Sequence, residues 1–290
     1  MNTFHAVLAE AGPSLEQAAR WIAAFRDAVV VVKLGGEVLA APAATRRVAQ
    51  QIGILAQCGI RVVVVHGAGT QIDDACRAAG LTITKIHGRR VTDAATRDVV
   101  VQVAQNVNAE LVAAIGSIGL PVRGMAAWDA FPISAHRRPP VPQTEGDPID
   151  YGLVGDVDGI HPGLATESGI AVLPSLGYDA HHGFLNINAD TLARAVATGL
   201  GARKLVFLTS VPGVLPSADA PGPVSTMSVA DARRLLAGES VTGGMKAKLE
   251  ECVKAVEAGV ERVHIISGKE PFTLIREVFT DEGCGTLVKP

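Results

Sequence analysis

Two lysines, one aspartate and three glycine-rich junctions are the residues of this chain best suited to handling a highly charged anion. Lys33 ends a valine run at 29–32 and is followed at once by Leu34, Gly35 and Gly36. A second valine run at 62–65 leads through His66 into Gly67, Ala68 and Gly69. Gly243 and Gly244 follow Thr242, with Lys246 and Lys248 close behind. Glycine lets backbone N–H groups approach an oxyanion, and a following helix N-terminus adds partial positive charge. One such loop is ordinary, because tight strand-to-helix turns need glycine anyway; three in one chain are more suggestive. A free ammonium at the end of a buried strand is costly without a partner. A lysine in the first turn of a helix opposes the helix dipole. A lone lysine would read as a snorkelling side chain; here phosphate oxygens and a carboxylate are the natural partners.

The segment "NINAD" supplies the carboxylate. Asn186, Asn188 and Asp190 together exceed what a helix cap needs, so Asp190 is expected to fix two ammonium groups and Asn186 to hold a substrate. "GRRVTD" places Arg89 and Arg90 before a helix start. Arg90 there either grips a substrate carboxylate through two parallel hydrogen bonds or lies in solvent. The proline- and charge-rich stretch 132–150 reads as a mobile excursion or a long hairpin. Its His136, Arg137 and Arg138 could touch an anionic substrate, although such clusters are more often solvated. No GxxxxGK[ST] loop occurs, and Ile72 stands where a dinucleotide fingerprint needs its third glycine, which disfavours a dinucleotide.

These groups need a frame. Continuous valine runs imply strands buried on both faces, hence an α/β fold with a mainly parallel sheet. Strands are expected at 29–33, 61–65, 122–126, 204–209, 262–267 and 286–288. Helices are expected at 43–57, 71–79, 93–118 with Thr92 as cap, 189–200, 229–237 and 271–279, with another opening on Gly243 and Gly244. An additional N-terminal helix over 14–28 carries a capping-box pattern in Ser14 and Gln17. No internal repeat is present.

With 290 residues, 48% apolar and 31 glycines, the chain suits one large α/β domain or two lobes. A net charge of −3 argues against nucleic acid or an anionic membrane as the main partner. The four cysteines, Cys58, Cys76, Cys252 and Cys284, form no CxxC pair, so neither a disulfide framework nor a zinc site is expected, and no metal ligand set is assigned. No signal-peptide pattern is seen at the N-terminus and no stretch approaches the ~18 apolar residues of a membrane span. A soluble cytoplasmic protein is the expectation.

The motifs "VVKLGGEVL", "VVVHGAGTQID", "GRRVTD", "YGLVGDVDGI", "LPSLGYDAHHGFLNINADTLA", "KLVFLTSVPGVL" and "VTGGMKAKLEE" together resemble, in order and along nearly the whole chain, the acetylglutamate kinases of the amino acid kinase family. The resemblance implies a three-layer αβα sandwich. It implies transfer of the γ-phosphate of ATP to the side-chain carboxylate of N-acetyl-L-glutamate, without a phosphoenzyme, in arginine biosynthesis. It implies lobes at 28–177 for the amino-acid substrate and 178–290 for the nucleotide, after an N-terminal helix within 1–27. Carried over by motif, Lys33 and Lys248 flank the transferring group and Asp190 organises both. Gly67, Ala68, Gly69, Arg90 and Asn186 bind the acceptor. Lys33, Gly35, Gly36, Thr209, Ser210, Gly213, Gly243, Gly244 and Lys248 bind the nucleotide, and Mg2+ comes in with ATP.

"HGAGTQ" departs from the family's usual three glycines and proline, and leans toward the kinase-like module of acetylglutamate synthases and synthase–kinases. In those proteins an acetyltransferase domain follows; here the sequence stops at Pro290, so it is a free-standing kinase or a cut-out module. Two other readings stand beside the kinase: a catalytically silent arginine-sensing module, and a kinase for a related acyl- or carrier-linked amino acid. Retention of Lys33, Asp190 and Lys248 together favours chemistry. Within the resembled family, arginine-inhibited members interlace N-terminal helices into a hexamer. Trp21, His264, Glu277, Gly283 and Gly285 match their inhibitor-site pattern, so L-arginine inhibition and a hexamer rather than a dimer are expected.

Overall fold

The computed structural model of the chain describes residues 14–125, 132–143, 146–166, 169–217, 220–238 and 240–290. The first half runs α1 (Leu15–Phe25), β1 (Val29–Leu34), a 3₁₀ turn (Gly36–Leu39), α2 (Pro42–Gln57), β2 (Arg61–His66), α3 (Gly69–Ala78), β3 (Lys85–Ile86), β4 (Arg89–Arg90), α4 (Ala94–Gly116) and β5 (Val122–Gly124). Then come β6 (Ile133–Arg137), β7 (Gly155–Ile160), the short α5 (Gly163–Thr166), β8 (Ile170–Pro174), β9 (Leu176–Asp179) and β10 (Gly183–Asn186). The last part runs α6 (Ala189–Gly199), β11 (Lys204–Thr209), β12 (Thr226–Ser228), α7 (Val229–Ala237), α8 (Gly243–Glu257), β13 (Arg262–Ser267), α9 (Thr273–Phe279) and β14 (Thr286–Lys289).

Eight strands form the main sheet in the order β12-β14-β13-β11-β1-β2-β8-β5. Every pairing is parallel except β13 with β14. The alternation of side chains along a strand makes three layers. Val30, Val32 and Leu34 face a core shared with residues of α2, α4 and α9, which Phe25 of α1 also joins. Val29 and Val31 face the opposite core, with Leu192 and Ala193 of α6, Ala232 of α7 and Leu249 of α8. Lys33 falls on this second side by the same alternation, which aims it at α6 and α8.

The structure corrects parts of the sequence reading. Of the two readings of 132–150 the long hairpin is the one formed: β6 runs antiparallel to β7, with His136 opposite Asp156, and Val141 bridges Ile149. Together with β9 and β10, β6 and β7 make a second, four-stranded sheet in the order β10-β9-β6-β7. Residues 126, 144 and 145, from the expected strand at 122–126 and from this stretch, lie outside the described residues. The cap of α4 is Asp93, whose Oδ1 accepts from Thr96 N at 2.7 Å, and not Thr92. By length and composition α4 could cross a membrane, which the sequence reading did not expect. Its Val100, Ala104, Leu111 and Ile115 are instead buried in the core.

Candidate active site

Asp190 sits in the first turn of α6, where Asn188 is the cap: its Oδ1 accepts from Asp190 N and Thr191 N, both at 3.0 Å. With the cap role filled, the Asp190 carboxylate is left for the lysines. Lys33 Nζ lies 2.8 Å from Oδ1, and Lys248 Nζ donates to Oδ2 at 2.6 Å. Both lysine side chains are only 9% exposed. Burial alone would raise the Asp190 carboxyl, but the two ammonium groups outweigh it and hold the group well below the usual carboxylate range. Burial and the nearness of Lys33 push the Lys248 ammonium down, and Asp190 only partly restores it. The Phe207 ring of β11, 5.1 Å from Lys248 Nζ, backs the cation from the sheet. The cluster carries one negative charge against two positive ones, an excess suited to an anion.

Two glycine loops frame this excess. The loop after β1 is tied to its neighbours by Gly35 N donating to Leu208 O at 3.2 Å and by Gln71 Nε2 donating to Gly36 O at 3.0 Å. A Cβ on Gly36 would stand 2.9 Å from Gly69 N, so the loops after β1 and β2 meet only because that side chain is missing. A cavity of about 240 Å³ opens against them, lined by Lys33, Gly36, Gly67, Ala68, Gly69, Arg90 and Asn186 among others. At its wall Arg90 is buried and donates from Nη2 to Asp73 Oδ1 at 2.6 Å. Its Nη1 is buried with no partner among the described residues. Asn186 Nδ2 donates to Thr92 Oγ1 at 3.1 Å, which fixes the amide at the cavity edge.

A second cavity, of about 550 Å³, lies beside Asp190, Gly243, Gly244 and Lys246. Thr242 caps α8 without a side-chain hydrogen bond, so the N–H groups of that first turn are not tied up by it. Thr209, the last residue of β11, and Ser210 after it lie outside the lining of both cavities. Gly213 also lies apart: a Cβ there would stand 2.6 Å from Thr286 Oγ1, so its small size serves packing against β14.

Between β3 and β4 the chain turns on His87 (φ 48°) and Gly88 (φ 75°), a two-residue loop of the type with positive φ at both positions. This hairpin was not read in the sequence, and it carries Arg89 and Arg90 over the cavities. Asp73, the partner of Arg90, was also missed; its only signal was a carboxylate one turn after Gly69.

A separate cluster gathers at the other side of the sheet. His264 Nδ1 and Glu277 Oε1 are 2.5 Å apart, and Cys284 N donates to Glu277 Oε2 at 2.6 Å. Burial opposes ionisation of Glu277, yet His264 and the Cys284 N–H hold its carboxyl down at about 2. Lys204 Nζ donates to Glu277 O at 3.3 Å and lies 4.5 Å from the Phe25 ring, and Trp21 Nε1 donates to Asp281 Oδ1 at 3.1 Å. Gly283 (φ 63°) closes on the Glu277 carboxylate, while Gly285 packs against Ile265 and Ile266. Trp21, His264, Glu277 and Gly283 are thus brought to one corner, with Lys204 and Asp281 as members the sequence reading had not singled out.

Residues 28–267 match the family model described as the amino acid kinase family. The chain belongs to that family. Over 286 residues it is 38% identical to an acetylglutamate kinase of Myxococcus xanthus, covering 95% of this chain and 93% of that protein. Among solved structures it is similar to the N-acetylglutamate synthase of Neisseria gonorrhoeae complexed with coenzyme A and N-acetylglutamate, with a TM-score of 0.83 and 28% identity. That match covers 95% of this chain but 62% of the synthase. The same synthase complexed with coenzyme A and L-arginine matches with a TM-score of 0.80 and 26% identity, covering 94% of this chain and 64% of the synthase.

Proposed function

We propose that this protein is an acetylglutamate kinase, transferring the γ-phosphoryl group of ATP to the side-chain carboxylate of N-acetyl-L-glutamate to give an acyl phosphate in arginine biosynthesis. The observation that carries the reading is the pair of buried ammonium groups held on Asp190 beside two touching glycine loops. Preorganised positive charge of this kind stabilises the phosphoryl group as its charge spreads over the equatorial oxygens. The name and identity of the relatives support the acceptor. The buried, unpartnered Nη1 of Arg90 supports a carboxylate at the cavity wall.

In this reading the acceptor lies in the smaller cavity, its α-carboxylate on Arg90, its acetamido end near Asn186, and its reacting carboxylate at the Gly67–Ala68–Gly69 loop. The nucleotide phosphates lie along Gly35, Gly36 and the start of α8, with Thr209, Ser210 and Gly213 toward the rest of the nucleotide. Asp190 engages both lysines with its two oxygens, so it would not be free to hold magnesium, which would come in with the nucleotide and supply charge neutralisation there. The attacking group is already an anion, so the protein needs no general base. The lobes are drawn at 28–177 and 178–290, and one continuous sheet runs through both. A catalytically silent module would have no use for three buried charges converging on an anion site.

The corner of Trp21, His264, Glu277 and Gly283 is proposed to bind L-arginine, in a cytoplasmic homo-oligomer interlaced by α1. Glu277, ionised and buried, suits a guanidinium. The deciding experiment is ATP consumption against a panel of acylated amino acids, with hydroxylamine trapping the acyl phosphate. Activity with N-acetyl-L-glutamate supports the assignment, and turnover only with another acyl or carrier-linked acceptor overturns it.

A further inference from the structure

Arg89 has a place that neither the lysine pair nor Arg90 accounts for. It begins β4 and pairs with Ile86 across the hairpin. Its side chain lines both cavities, the one of about 240 Å³ with Lys33 and Arg90 and the one of about 550 Å³ with Asp190, Gly243 and Gly244. It therefore stands, with Gly88 and Asn188, where the two cavities adjoin. The carboxylates whose fields reach it are already engaged. Glu251 is held by Arg194 at 2.5 Å and Lys254 at 3.3 Å, and Asp156 by Arg138 Nε at 3.1 Å. Burial, with Arg138 adding to it, pushes the Arg89 guanidinium down from its ordinary value, and Glu251, Asp156 and Tyr151 only partly offset this. A half-buried guanidinium that forms no ion pair among the described residues is a planar, permanently charged fork available to an anion.

We infer that Arg89 is a catalytic residue that contacts the phosphoryl group in transit, making with Lys33 and Lys248 a set of three cations around it. The inference rests on the kinase reading. An acceptor carboxylate oxygen forms the new bond to phosphorus as the bond from phosphorus to the β,γ-bridging oxygen breaks. The electron pair of that bond leaves on ADP, and no proton moves. Arg89 keeps its protons and donates hydrogen bonds to the equatorial oxygens, whose charge peaks in the transition state. An alternative, in which Arg89 reads the acyl group of the acceptor, leaves unexplained why the same side chain lines the nucleotide side.

Arg89→Met keeps most of the side chain's length without its charge, and Arg89→Lys keeps the charge without the fork. We expect Arg89→Met to lower kcat by ~10² with both KM values within about twofold, a change too small to register against the ~10-fold scale of a lost contact. Arg89→Lys should fall between it and the wild type. Calorimetry supplies the second readout. Magnesium–ADP–aluminium fluoride with N-acetyl-L-glutamate should bind the Met variant more weakly by a factor like that lost in kcat. Binding of magnesium and a non-hydrolysable ATP analogue should not change. A rise in the acceptor KM alone, an equal weakening of the ATP analogue, or an unchanged kcat each overturns the inference. A wild-type protein that leaves N-acetyl-L-glutamate unphosphorylated overturns the kinase reading and this one with it. An active wild type whose Arg89→Met variant keeps full kcat overturns this one alone.

Discussion

Lys248 reaches Asp190 across 58 residues of sequence and donates to its Oδ2 at 2.6 Å. Lys33, arriving from the sheet, faces the other oxygen of the same carboxylate at 2.8 Å. The two lysines are not equivalent to their partner in what their loss would do.

Lys33→Ala or Lys248→Ala removes one charge stabiliser and leaves Asp190 paired with the remaining lysine. Turnover should fall by ~10²–10³, while the melting temperature should change little, since the residual pair is neutral. Asp190→Ala instead leaves two ammonium groups facing each other in a buried site, and stability should drop by about 3–5 kcal/mol. Steady-state kinetics and thermal melts of the three variants check this. A Lys248→Ala enzyme with near wild-type kcat would remove that lysine from the mechanism.

Arg90→Lys keeps the charge but loses the planar fork that now bonds Asp73 with one nitrogen and leaves the other for a ligand. The acceptor KM should rise about tenfold or more, with the KM for ATP nearly unchanged. A fall in kcat with both KM values steady would place Arg90 on the transition state instead.

His66 gives a pH signature. The ring is fully buried, Asn108 Nδ2 lies 3.2 Å from its Nε2, and burial pulls its pKa from 6.5 to about 4, the hydrogen bond with Gly67 opposing the shift only in part. The unfolded chain therefore binds the proton more readily than the folded one. The stability this buried neutral ring represents is complete above pH 6.5 and is lost as the pH falls toward 4, by up to about 3 kcal/mol. Thermal melts should show wild type losing several degrees over that window beyond what a His66→Gln variant loses. Parallel curves for the two proteins would mean that His66 is not the titrating group.

At the other side of the sheet, Glu277→Gln should abolish arginine inhibition while leaving kcat without arginine within about twofold, because that carboxylate is far from the lysine pair in the fold. Deleting residues 1–26 should convert a hexamer to a dimer and remove the arginine response, by light scattering and by inhibition curves. A wild-type protein that is dimeric and indifferent to arginine would refute the regulatory reading and leave the kinase reading standing.

Six strands of the main sheet were legible from their apolar runs, while β8 (Ile170–Pro174) and β12 (Thr226–Ser228), which complete it, were not read; Lys33 could be flagged because a buried strand should not end in an unpartnered charge. The second sheet was not legible. Strands such as Gly155–Ile160 are short, rich in glycine and aspartate, and half-buried, so neither a period of two nor a run of apolar residues marks them. The hairpin over the site has strands of two residues, and its turn uses His87 at a positive φ where asparagine or aspartate would have announced it. Asp93 and Thr92 are both good caps in isolation; Thr92 is instead engaged by Asn186, a contact between residues 94 apart in sequence. Asp73 and Arg90 likewise find each other only through the fold.

The eight-stranded sheet also acts as a partition. Lys33, Lys248 and Asp190 belong to the face of α6 and α8, while Trp21, Glu277 and the α1–α9 contact lie on the reverse face. A relay of side chains from one to the other would have to pass through a fully buried layer of Val30, Val32, Val206 and Leu208. β11 is one of the strands whose backbone the two faces share. Lys204 at its start bonds Glu277 O on the reverse face, and Thr209 at its end lies next to the Gly35 loop, whose N–H is held by Leu208 O. The six residues of that strand span about 17 Å. Both ends of that strand are thus tied to a neighbouring element, Lys204 to α9 and Leu208 to the glycine loop.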